Sequence, residues 1–180
     1  MSLSSNVIEI QNLVKTYDSF TAVNGINLSV RTNEIFGILG PNGAGKTTTL
    51  EMIEGLREPD SGTIMVAGLD AVRRAADVRR IIGVQLQTTA LFEYLTSAEL
   101  IELFAGLYSV DDSGTRIHHL LDRVNLTEKA NVQVSALSGG QRQRLSITLA
   151  LVNDPQIVFL DEPTTGLDPA ARRDLWTVIQ

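Results

Sequence analysis

Gly40-Pro41-Asn42-Gly43-Ala44-Gly45-Lys46-Thr47 stands between a short apolar run, Ile35-Phe36-Gly37-Ile38-Leu39, and a segment expected to be helical to about Glu54. The spacing Gly-x-x-x-x-Gly-Lys-Thr decides how the chain is read. Glycines let backbone N–H groups turn inward and approach phosphate oxygens with no Cβ in the way. A helix that follows directly presents its N-terminus to the same anion. Lys46 is then placed to reach β- and γ-phosphates, and the Thr47 hydroxyl to ligate Mg²⁺. A strand entering and a helix leaving separate this pattern from a chance glycine-rich turn.

Towards the N-terminus, Val7, Ile10, Leu13 and Val14 predict an early strand region ending near Tyr17. Ile26, Leu28 and Val30 alternate, which predicts a half-buried strand over 26–30. Further strands are expected at Glu34–Leu39, Thr63–Val66, Ile81–Leu86 and Gln156–Leu160, the last fully buried. Gly55 is a plausible C-terminal cap for the helix after Thr47. Leu100, Leu103, Phe104 and Leu107 fall at i, i+3, i+4 and i+7, and Thr96 with Glu99 makes a capping-box start for that helix. Ile117, Leu120, Leu121 and Val124 repeat the spacing over 114–124. A third helix over 139–152 is apolar almost all round at its end, so it is expected to be buried. Pro169 to Gln180 starts another, with Pro near its first turn. Strands followed by helices imply a largely parallel sheet, into which the helices of 97–152 are inserted.

The composition excludes several classes. The 180 residues carry 15 basic and 21 acidic side chains, a net charge of −6, which argues against non-specific nucleic-acid binding. With 43% hydrophobic and 20% charged residues a packed core is expected rather than disorder. Cysteine is absent, so disulfides, thiolate metal sites and a cysteine nucleophile are excluded. No apolar run approaches the ~18 residues of a membrane span. The polar stretch Met1–Val7 carries no signal-peptide pattern. A soluble, cytoplasmic globular domain is the expectation.

Phosphate binding of this kind needs an acidic element for the metal, and Ile157-Val158-Phe159-Leu160-Asp161-Glu162 supplies one. Asp161, at the end of a buried strand, can orient Mg²⁺ through water, and Glu162 can polarise an attacking water; the alternative is an ordinary acidic loop after a strand. Leu137-Ser138-Gly139-Gly140-Gln141 provides a second anion site at a helix start, with Ser138 as N-cap and Gly139 and Gly140 exposing N–H groups. The alternative there is a capped helix start with no ligand.

Together these residues resemble the nucleotide-binding domain of ATP-binding-cassette (ABC) ATPases, from about Val7 to Gln180. Gly40–Thr47 is similar to the family's Walker A loop, Leu137–Gln141 to its signature motif and Ile157–Glu162 to Walker B. Thr165-Gly166-Leu167-Asp168 is similar to the D-loop, and Ile82–Gln87 to the segment ending in the Q-loop glutamine, a role assigned to Gln87 with Gln85 as rival. Tyr17 matches the aromatic on which adenine stacks; the alternative is a core or surface tyrosine.

The resemblance implies an α/β fold, a P-loop NTPase parallel sheet with an N-terminal antiparallel β subdomain and a helical insertion, lacking the C-terminal strands. The implied organisation is one partial domain over 1–180. Residues 1–87 and 154–180 would be portions of the catalytic core, and 88–153 the helical, signature-bearing subdomain. The implied cofactors are ATP and Mg²⁺. Catalysis would rest on Glu162, Gln87 and Lys46, and the metal on Thr47, Gln87 and Asp161. The nucleotide would be held by Tyr17, Gly40, Pro41, Asn42, Gly43, Ala44, Gly45, Lys46, Thr47 and Thr48. Ser138, Gly139, Gly140, Gln141 and Asp168 would approach it from a second copy in a head-to-tail dimer.

The family's switch histidine follows the D-loop helix, and this chain ends before it. His118 and His119 lie upstream of Walker B and are expected to be solvated helix positions. By analogy a central strand is missing, so 1–180 is expected to be incomplete as a folding unit. The implied function is that of an ATP-binding and ATP-hydrolysing subunit of a membrane transporter, an exporter of the multidrug or antibiotic type by its wording. It would sit in the cytoplasm, peripheral to the inner face of the membrane. A transmembrane subunit would be its partner, with Phe92 and Leu95 lining the groove for it; the alternative for these two residues is ordinary packing within the helical insertion, and no nucleic acid is expected. The rival readings are a soluble ABC protein of DNA repair or translation, or a nucleotide-binding fragment without turnover. A small GTPase is disfavoured because no Asn-Lys-x-Asp run follows the phosphate loop.

Overall fold

A computed structural model describes residues 6–85, 91–110, 114–164, 167, 169, 172 and 173. The chain forms two compact units, 1–80 and 81–180.

The first unit is organised by a sheet of four strands in the order β2-β1-β3-β4. β1 (Asn6–Tyr17) and β2 (Phe20–Arg31) form a hairpin, with Tyr17 opposite Phe20 and Asp18 in the turn at φ 48°. β3 (Ser61–Val66) runs antiparallel along the other edge of β1, with Ile8 opposite Val66 and Ile10 opposite Ile64; β4 (Leu69–Asp70) continues it. Strict alternation would bury Asn12 after Ile8 and Ile10. Instead Leu13 is buried, because a bulge at 11–13 with Asn12 at φ 49° switches the parity of the strand. Gly62 makes this possible. A Cβ there would lie 2.6 Å from the Asn12 carbonyl oxygen, and its φ is 96°.

The predicted helix after the glycine-rich loop forms as α1 (Lys46–Ile53), which buries Thr49, Met52 and Ile53. It ends as expected at Gly55, φ 67°. The N–H of Gly55 donates to Met52 O and that of Leu56 to Glu51 O, the paired bonds of a Schellman turn. A short helix that periodicity did not reveal, α2 (Ala75–Ile81), follows β4. Asp70 Oδ1 accepts from the N–H groups of Val72 and Arg73, both at 2.9 Å, and turns the chain towards it.

The strand expected at Glu34–Leu39 does not form. Those residues have no ladder among the described residues, and Ile35 is 68% and Leu39 94% exposed. An apolar run is a strand only where another strand accepts its backbone bonds, and none is described beside this one.

In the second unit, β5 (Ile82–Gln85) and β6 (Ile157–Leu160) pair in parallel, Ile82 opposite Ile157 and Gln85 opposite Leu160. The expected parallel sheet is thus present as two strands among the described residues. β6 was expected to be fully buried, and it is not: Val158 is 36% exposed, because β5 is its one described neighbour. Between them run α3 (Ser97–Leu107), α4 (Gly114–Arg123) and α5 (Gly139–Ala150), the helical insertion. Leu100, Ile101, Leu121, Leu126, Leu145 and Val152 form their shared core. The capping box at Thr96 and Glu99 forms as predicted, and α5 buries Leu145 to Ala150. Gly83 fixes how closely α5 lies on β5, since a Cβ there would be 1.8 Å from Ala150 O. His118 and His119 are exposed on α4, as expected. Most of the helix predicted from Pro169 lies outside the described residues.

Candidate functional site

The loop before α1 has the backbone that anion binding requires. Gly43 and Gly45 lie at φ 81° and 79°, and Gly45 is the N-cap of α1. A Cβ on Gly45 would sit 2.1 Å from Ala22 O of β2, so only glycine lets the loop rest there. No side chain caps α1, and its first turn has no acidic residue. This contrasts with α3 and α5 of the second unit, which both begin in complete capping boxes. The first amides of α1 are therefore left for an external acceptor. Thr49 instead bonds back along the helix, its hydroxyl donating to Gly45 O at 2.9 Å.

Lys46 Nζ donates to the carbonyls of Gly40 at 2.8 Å and Pro41 at 3.0 Å, so the ammonium is folded over the loop. Pro41, Asn42, Gly43, Ala44 and Thr47 are exposed, and Thr48 is half-buried. A cavity of about 490 Å³ adjoins the loop, lined in part by Ala22, Val23, Phe36, Ile38, Lys46 and Thr49. Positive-φ glycines, unclaimed helix amides and a lysine on one loop fit a polyphosphate.

Tyr17, at the end of β1, is 37% exposed. Two cations lie over its ring, Lys15 Nζ at 5.8 Å and Arg57 Cζ at 5.5 Å from the centroid. Lys15 is held by Asp60 at 2.8 Å, and Asp60 also accepts from the Thr16 N–H at 2.7 Å. The Lys15 ammonium, with that N–H, keeps the Asp60 carboxyl below the usual carboxylate range. Arg57 Nε donates to Glu51 at 2.6 Å, a bond that raises the already high pKa of the guanidinium. Lys15 was within reach of sequence reading, two residues before Tyr17 on one strand. Arg57 and Asp60 were not, because nothing local ties them to the ring.

In the second unit, Ser138 caps α5. Its hydroxyl accepts from the Gln141 N–H at 3.3 Å, and the Gln141 side-chain oxygen accepts from the Ser138 N–H at 2.9 Å. Gly139 is exposed, and nothing lies within 4 Å of where its Cβ would be. Local packing therefore does not demand glycine at that position. Asp161 extends the parallel ladder, its N–H donating to Gln85 O at 3.1 Å, and is half-buried. Glu162 is exposed at φ 47°, a left-handed conformation that costs a non-glycine residue about 1–2 kcal/mol. Gln85 is only 2% exposed at the end of β5. Gln87, Thr165, Gly166 and Asp168 lie outside the described residues. The glycine-rich loop and Tyr17 thus belong to the first unit, and residues 138–141 and 161–162 to the second. Among the described residues no cluster of three or more His, Asp or Glu forms a metal site, and no helix is long and apolar enough to cross a membrane.

Comparison with known proteins gives the family. Residues 23–165 match the family model described as ABC transporter. The chain is 43% identical over 171 residues to a Nod factor export ATP-binding protein I from Burkholderia orbicola (strain AU 1054), covering 94% of this chain and 56% of that protein. It is 41% identical over 175 residues to the protein of that name from Ralstonia nicotianae (strain ATCC BAA-1114 / GMI1000), covering 96% and 54%. The chain therefore spans little more than half the length of these relatives. A solved ATP-binding cassette of an ABC transporter in its ADP conformation superposes with a TM-score of 0.85 at 24% identity, over 97% of this chain and 76% of that one. A dimeric post-hydrolysis ATP-binding cassette with ADP and Pi gives 0.81 at 30% identity, over 96% and 81%. The antiparallel sheet, the parallel pair and the inserted helices are those of the ABC-type P-loop fold, and the chain belongs to the ABC transporter family.

Proposed function

We propose that this chain is the ATP-binding and ATP-hydrolysing part of a membrane exporter. The observation that carries the reading is the start of α1, with no side-chain cap, two positive-φ glycines before it and Lys46 folded over its loop. Lys46 and the amides of 43–48 hold the phosphates, and Tyr17 takes the adenine. Thr47, Asp161 and Gln87 would hold Mg²⁺, which when bound neutralises charge on the phosphates. Glu162 accepts a proton from the attacking water at its carboxylate oxygen. A second copy, head to tail, contributes Ser138, Gly139, Gly140, Gln141 and Asp168. Ser138 and Gln141 cap each other in this chain, so the exposed backbone at Gly139 is what supports access for a ligand there. In this reading 1–87 and 154–180 are core portions and 88–153 is the signature subdomain.

Export is supported by the two relatives' names, and a transmembrane partner follows from it. Phe92, 57% exposed, is proposed to face that partner from the cytoplasmic side of the membrane, whereas Leu95 is half-buried and packs against the core of the helical insertion. Their segment is bonded to the approach to Ser138. Val134 N–H donates to Leu95 O at 2.9 Å, and Ser135 N–H to Glu93 O at 3.1 Å. A push on 92–95 would reach the start of α5 through these bonds.

Steady-state phosphate release and ATP binding test the assignment in Glu162→Gln. The expected result is retained binding with turnover lost by at least about a hundredfold. Multiple turnover at the wild-type rate would remove Glu162 from the role of base.

A further inference from the structure

The phosphate loop does not account for the array around Tyr17. Its two cations are anchored on different parts of the first unit. Lys15 is fixed by Asp60, which follows the α1 turn; Arg57 is fixed by Glu51, which lies on α1 itself. The connection therefore runs from the ring through a guanidinium and a carboxylate to the helix whose first residue is Lys46. Tyr17 stands at the turn end of the β1–β2 hairpin, where its one strand partner is Phe20. A guanidinium over the ring is attracted by the negative π face and restrains the motion of the ring. Tyr17 stays 37% exposed with both cations in place.

We propose that Arg57 is a positioning residue for the base of the nucleotide: anchored by Glu51 on the phosphate-binding helix, it holds the Tyr17 ring at a fixed place relative to the loop. The inference rests on the reading of Tyr17 as the residue that stacks on the base. It adds to the preference for triphosphates that carry a base, because a ring already in place costs less to order when the base stacks on it.

Calorimetric titration of the full-length protein with Mg·ATP and with base-free Mg·tripolyphosphate tests it. Arg57→Ala should weaken ATP about two- to fivefold and leave tripolyphosphate unchanged. Arg57→Lys, which keeps a cation, should recover part of the loss. In a Tyr17→Leu background, Arg57→Ala should have no further effect. Equal weakening of both ligands, or an undiminished preference for ATP in Arg57→Ala, would overturn the proposal. A wild-type protein that binds ATP no better than tripolyphosphate would overturn the stacking role of Tyr17 itself, and the proposal with it.

Discussion

Replacing Gly45 by alanine is the sharpest local perturbation the phosphate loop allows. Two costs add. The residue sits at φ 79°, where any side chain costs about 1–2 kcal/mol. The new Cβ would also stand 2.1 Å from Ala22 O and 3.1 Å from its carbon, and both are backbone atoms of β2. Ordinary carbon–oxygen approach is about 3.3 Å, so loop and strand must separate by roughly 1 Å. Overpacking of this kind costs about 1–3 kcal/mol more. The total, about 2–5 kcal/mol, corresponds to a fall in Tm on the order of 10 °C for a chain of this size. Gly43→Ala is the internal control. Its φ is 81°, but nothing lies within 4 Å of the added Cβ, so only the backbone cost applies, roughly 5 °C. Thermal melts of the two variants, each with and without Mg·ATP, separate the terms. Gly45→Ala should melt lower than Gly43→Ala and lose its response to nucleotide. Equal melting of the two would refute the close approach of loop to β2.

Gly83→Ala should destabilise by about 1–3 kcal/mol without entering the site, because its Cβ would collide with Ala150 O and push α5 off β5; an unchanged Tm would contradict that packing. Acid should weaken the fold through Asp60, Asp70 and Glu99. Asp60 is lowered by Lys15 and the Thr16 N–H, Asp70 by the N–H groups of Arg73 and Val72, and Glu99 by the Thr96 N–H and hydroxyl. Each binds its proton more readily unfolded than folded. Their stabilisation is therefore complete above the ordinary carboxylate range near pH 4 and lost as pH falls through the lowered folded values. Denaturant melts at stepped pH should show a shallower acid limb in Asp60→Asn and Glu99→Gln, and an unaltered limb would count against those bonds.

Local chemistry made much of this legible. Gly40–Thr47, the Thr96–Glu99 box and the Gly55 turn are each set by residues within a few positions of one another, and each stands where sequence spacing puts it. The failures share a different cause. Glu34–Leu39 reads as a strand by composition, yet a strand needs a neighbour, which composition cannot supply. The bulge at Asn12 reverses the inside and outside of β1, and its partner glycine is fifty residues away at Gly62. Gly83 looked like an ordinary strand residue until α5 came to rest on it. Arg57 reaches Tyr17 across forty positions, so no local pattern could announce the pair. Gln87 and Asp168 were named from spacing and resemblance, and they rest on those grounds.

Everything proposed for the site depends on the loop before α1 binding a nucleoside triphosphate through Lys46. Melting the purified protein with and without Mg·ATP, alongside Lys46→Ala, tests it most directly. At a hundred times Kd, binding adds about 2.7 kcal/mol, a rise of roughly 5–10 °C. The account predicts that rise in the wild type and its loss in Lys46→Ala, whose side chain otherwise bonds the Gly40 and Pro41 carbonyls. No rise in the wild type, or an equal rise in both proteins, would contradict it.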